Sequence, residues 1–96
     1  MKIADFLSLI EKENVPLGEL SSPLQALWWA KKGYWEKAHE IAQSAGSVED
    51  DWVHAYLHRE EGDLGNAAYW YARAGKPVCS SSLSVEWEEM VEELLK

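Results

Sequence analysis

Cysteine is almost missing from this chain: Cys79 is the only one among 96 residues. A single thiol closes no internal disulfide, and Cys79 stands between Val78 and Ser80 with no histidine or second cysteine beside it to lower its pKa or share a metal. The expectation is a reduced, cytoplasmic setting with Cys79 as an ordinary loop thiol. Proline is scarce as well, and Pro16, Pro23 and Pro77 all fall where helix boundaries are expected. Runs of alternating β-branched residues are missing, so nothing announces a strand and the chain is expected to be all-α. Positive charge is thin: nine Lys and Arg stand against 17 Asp and Glu, a formal net charge of −8. Beyond residue 46, four bases meet eleven acids. Phosphate backbones and anionic bilayers attract basic stripes, so neither nucleic acid nor a membrane surface is an expected partner. Long apolar runs are missing too; the N-terminal MKIADFLSLIEKEN is too short and too interrupted for a signal peptide or a membrane span. There is no phosphate loop, no dinucleotide glycine fingerprint and no pairing of nucleophile with base, so neither an enzyme nor a cofactor is expected.

What is abundant is bulk. Apolar residues make up 47% of the chain and include six Trp and four Tyr, enough to pack one core in a single domain over residues 1–96. The chain also repeats itself. At a constant offset of 29 residues, Ala26 pairs with Ala55, Gly33 with Gly62, Ala38 with Ala67, Ala45 with Ala74 and Gly46 with Gly75, with the apolar pairs Trp35/Leu64 and Ile41/Trp70 between them. Glycines recurring at turns and alanines on one helical face mark a repeated helix-turn-helix unit.

Along the chain, Ile3, Phe6, Leu7 and Ile10 keep helical spacing and predict a first helix that ends near Asn14. Ser22-Pro23-Leu24-Gln25 reads as a capping box that opens a helix to Lys32, with Gly33 stopping it. A third helix over about 35–45 ends at Gly46, and Ser47 with Asp50 can cap a fourth that runs to the break at Glu61-Gly62-Asp63. On a fifth helix, Leu64, Ala67, Ala68, Trp70, Tyr71 and Ala74 predict one broad apolar face. From about Ser84, the residues Trp87, Met90, Val91 and Leu94 predict a last helix that caps the stack, with Glu86, Glu88, Glu89, Glu92 and Glu93 left to the surface. The architecture expected is two tandem antiparallel helix pairs, units 22–46 and 51–75, between capping helices at 1–14 and 84–96.

The spacing of Gly33, Ala38 and Ala45, repeated at Gly62, Ala67 and Ala74, resembles the tetratricopeptide repeat. The run from Ala67 to Gly75, with its Tyr69-Trp70-Tyr71 centre, is similar to the end of a Sel1-like repeat. The likeness covers residues 22–75. It departs in its 29-residue offset, where tetratricopeptide units run to about 34, and in having Trp29 in one unit where the other has His58. Such a resemblance implies a short α-solenoid that binds a protein or peptide in a groove lined by the first helix of each unit. The groove positions it implies are Leu27, Ala30 and Lys31, then Trp52, Tyr56, Arg59 and Glu60. Trp52, Tyr56 and Arg59 share one helix face by their spacing of four and three.

A second feature is independent of that resemblance. His54 and His58 lie four apart with Glu61 three beyond, a spacing at which two imidazoles and a carboxylate can meet one metal ion. Ala55 stands where a zinc hydrolase carries its base, and only His39 is at hand as a distant ligand, so packed and hydrogen-bonded histidines are the first expectation. The leading expectation for function is thus a non-enzymatic protein-interaction or adaptor domain. The alternative is a metal- or small-molecule-binding accessory protein using His54, His58 and Glu61. Surplus aromatics at Trp28-Trp29 and Tyr69-Trp70-Tyr71 leave self-association as a third reading.

Overall fold

A computed structural model describing residues 1–96 contains six α-helices and no strand. They are α1 (Ile3–Lys12), α2 (Ser22–Lys32), α3 (Trp35–Ala45), α4 (Val48–Glu60), α5 (Leu64–Ala74) and α6 (Leu83–Leu94). None is long and apolar enough to cross a membrane. Two tight hairpins form the body, α2 against α3 and α4 against α5. Each turns on a glycine in the left-handed region, Gly33 at φ 97° and Gly62 at φ 87°, where an L side chain would be strained. The hairpins meet where α4 packs on both α3 and α2.

One core joins Phe6 and Ile10 of α1, Leu24, Leu27 and Trp28 of α2, and Ala38 and Ala42 of α3 to Val53 and Leu57 of α4 and Trp87, Met90 and Val91 of α6. The small alanines of α3 let that helix approach closely. A second, smaller cluster of Ala55, Ala67 and Tyr71 holds α5 to α4. Only part of the expected α5 face is buried there: Leu64 and Ala68 are exposed.

Helix α6 departs from the expectation of a helix closing one end of a stack. It lies against α2 and α4 together, with α1 alongside. Its anchor is Trp87, 1% exposed, whose indole N–H donates to the Leu27 carbonyl at 2.9 Å. Truncating an aromatic ring of this kind costs about 3 to 5 kcal/mol. Glu86, expected at the surface, is only 3% exposed.

The start of α2 also differs. Ser21 occupies the cap position and Pro23 is the second helical residue, so Ser22 is already inside the helix. Its hydroxyl donates to the Asp50 carboxylate at 2.8 Å, and the Gln25 amide donates to the Leu20 carbonyl at 2.8 Å. Asp50 is fully buried and completes the expected α4 cap: its backbone N–H donates to Ser47 Oγ at 3.0 Å, and Ser47 N–H donates back to its carboxylate at 3.1 Å. One carboxylate therefore caps α4 and ties it to the first turn of α2. At the other end of α2, Lys32 reaches the α1 terminus and donates to the carbonyls of Ile10 and Glu13.

Candidate functional site

The seam between the hairpins carries the distinctive chemistry. Trp35 and His39 lie one turn apart on α3, and His54 and His58 one turn apart on α4. Trp35 is pinned by its indole N–H, which donates to the Leu57 carbonyl of α4 at 2.7 Å. Packing α3 on α4 brings the three imidazoles together, with ring centres 4.6 Å apart for His39 and His54, 5.1 Å for His39 and His58, and 4.8 Å for His54 and His58. One ligating nitrogen from each ring lies within 4.8 Å of the other two. Two indoles bracket the group. Trp35 stacks on His39 at 4.8 Å, and Trp70 of α5 stacks on His54 at 3.9 Å.

The polar partners are unevenly shared. Glu61 accepts a hydrogen bond from His58 Nδ1 at 2.7 Å, which fixes the ring and leaves Nε2 as the lone-pair nitrogen of neutral His58. His54 is 3% exposed, and its Nδ1 is buried without any hydrogen-bond partner in the protein. Burial, reinforced by His39 and His58, pushes the His54 pKa down to about 4. Burial, with His58 adding to it and Glu61 opposing, also lowers His39. Neutral rings present lone pairs, and that is the form in which imidazole binds a metal or accepts a proton.

The sequence-predicted residues thus divide. His54 and His58 stand together as their spacing suggested, and His39 joins them. Glu61 lies behind His58, on its Nδ1 side. Asp63 also lies within 4.8 Å of His58 and Glu61, but it is exposed and its carboxylate caps α5 at Asn66. The groove positions face α6. Leu27 and Tyr56 are buried in the core, and Ala30 is buried beside them. Lys31 is exposed, its ammonium 5.1 Å from the centre of the Trp87 ring. Trp52 is half-buried under the Lys76 ammonium at 4.4 Å. Arg59 pairs with Glu86 at 2.8 Å and donates to the Ser81 carbonyl, while Glu60 is exposed. The helix stripe Trp52, Tyr56 and Arg59 therefore meets a helix of its own chain.

Sequence reasoning missed Trp35 and Trp70 as walls and undervalued His39. A signal was present: Trp35 and His39 are four apart on α3 as His54 and His58 are on α4, so each pair shares a helix face. Comparison of the chain with protein-family models, curated proteins and solved structures found no match.

Proposed function

We propose that this chain is a non-enzymatic binding domain made of two repeated helix hairpins, and that it holds a small ligand at the histidine cluster between them. The observation that carries this reading is the unpartnered Nδ1 of His54, buried amid two further imidazoles. A buried polar nitrogen left unmade costs about 1–3 kcal/mol, and an apolar ring would fill the same space without that cost. Polar groups kept at a cost to stability are the mark of a site built for something other than packing.

The arrangement of hairpins supports a tetratricopeptide-like repeat. Several pairs 29 apart take equivalent roles: Ala26 and Ala55 are buried, Ala38 and Ala67 are buried, and Gly46 and Gly75 end α3 and α5, while Ala45 is exposed where Ala74 is buried. In this chain the face that such repeats offer to a peptide is filled by α6, which favours the seam as the binding centre. The protein-adaptor reading keeps one specific support. Helix α5 packs mainly on α4, with Tyr71 reaching Glu86 of α6, and leaves Leu64 67% and Tyr69 54% exposed, a surface suited to a protein partner or a second copy of the chain.

The ligand reading is tested by chemical denaturation of His54→Phe, which keeps a ring against Trp70 and removes the orphaned nitrogen. A gain of about 1 kcal/mol is expected. A loss of more than that would show the imidazoles to be packing elements.

A further inference from the structure

Resting on that reading of the cluster, we propose that its ligand is a divalent transition metal of the zinc class, bound by one imidazole nitrogen each from His39, His54 and His58. The donor set decides the class. Three imidazoles suit Zn²⁺, Co²⁺, Ni²⁺ or Cu²⁺, whereas Mg²⁺ and Ca²⁺ demand oxygen ligands and Cu⁺ prefers sulfur. Cys79, the only thiol, makes its contact with Ser81 in the loop before α6 and not with the cluster.

Geometry supports the same assignment. The three nitrogens already lie within 4.8 Å of one another. Around a tetrahedral ion at Zn–N distances of about 2.0–2.1 Å they would stand about 3.3 Å apart. Closing that gap takes a modest rotation of side chains, and half-buried His39 is the freest of the three. His54 brings an unclaimed nitrogen, and His58 is held by Glu61 so that Nε2 is the free one. A carboxylate on the far nitrogen of a metal-binding histidine orients the ring and strengthens it as a donor. Glu61 is therefore a positioning residue in this site rather than the direct ligand that its spacing suggested. Three protein ligands leave the fourth position of a tetrahedron open to water or a further small ligand. Because His39 comes from α3 and the other two from α4, the ion would also staple one hairpin to the other.

The test is a titration of the full chain, stripped with chelator, with Co²⁺ followed by visible d–d absorption and then displaced by Zn²⁺. Circular dichroism confirms that each variant is folded. One equivalent is expected to bind. Glu61→Gln should weaken binding about 10- to 100-fold, and His39→Ala should weaken it further, while Cys79→Ser and Asp63→Asn should bind as the wild type does. The inference is overturned if neither ion binds saturably. It is equally overturned if His39→Ala binds as tightly as wild type, or if Asp63→Asn removes binding and His39→Ala does not, since the ion would then sit elsewhere. If metal fails while His54→Phe is stabilised, the metal assignment falls and the proposal of a ligand at the seam stands. If metal fails and His54→Phe is destabilised, both readings fall.

Discussion

Two polar groups sit side by side on α4, His58 buried and Arg59 partly buried, and they differ in how fully they are partnered. Arg59 points toward α6, where the Glu86 carboxylate accepts from the guanidinium at 2.8 Å and from the Tyr71 hydroxyl at 2.5 Å, and the other guanidinium nitrogen donates to the Ser81 carbonyl. Every strong donor and acceptor named there has a partner, and charge meets charge. The bond to Glu86 holds the Arg59 pKa up, and burial followed by the same carboxylate raises that of Tyr71. The preceding residue, His58, points toward α3 into a group of three imidazoles with one carboxylate and one orphaned nitrogen. The first arrangement is complete within the chain, so it serves the fold by docking α6 and α5 onto α4. The second is incomplete within the chain, and on the function proposed above a ligand completes it. The Trp28 indole N–H is also buried in the core without a partner, so what sets the seam apart is an orphaned nitrogen grouped with two further imidazoles.

Mutations can break this comparison at either end. The largest effect is expected at Arg59→Ala, which strands the nearly buried Glu86 carboxylate and should cost about 3–5 kcal/mol in urea denaturation. An Arg59→Ala protein within 1 kcal/mol of wild type would mean that water already shares the pair. Next is the pH dependence of the metal-free chain below neutrality, to which His39 adds with the same sign as His54; His54 faces His39, His58 and Trp70, with Glu61 reached through His58. The folded pKa lies below the ordinary value of 6.5, so the unfolded chain binds more protons in this window. The contribution is fully present above about 6.5 and is lost as pH falls toward 4, by roughly 2 kcal/mol after allowance for solvent screening. His54→Phe should flatten that slope, and an unchanged slope in urea melts from pH 7 to pH 4 would remove His54 as its source. Tyr71→Phe takes one donor from Glu86 and leaves Arg59 in place, for an expected loss of about 1–2 kcal/mol by thermal melting. Smallest of all, Tyr69→Ser on the exposed face of α5 should stay within about 0.5 kcal/mol; a larger loss would show that this side chain is covered in solution.

Helix positions were largely legible in the sequence, because periodicity and the glycines at 33, 46, 62 and 75 state where helices run and stop. What helices pack against was less so. The stripe Trp87, Met90, Val91 and Leu94 announces a buried face on α6 but carries no information about which surface receives it. Glu86 looked like its acidic neighbours, since its burial depends on Arg59 and Tyr71 arriving from two other helices. Ser22 and Ser21 are equivalent as caps by composition, and the choice is made by Asp50, 28 residues away. For the candidate site, the spacing of His54 and His58 could be read directly. His39 could be joined to them only through the packing of α3 on α4, which the repeat suggested but did not specify in rotation.

On the proposed function, the histidine seam is kept for a ligand at the expense of stability. Thermal melting of wild type and His54→Phe, each without metal and with excess Zn²⁺, tests it directly. The account predicts a crossing: the variant melts higher than wild type in chelator, and wild type melts higher in Zn²⁺ because only it retains all three ligands. A variant that melts below wild type in chelator, with neither protein responding to Zn²⁺, would contradict it.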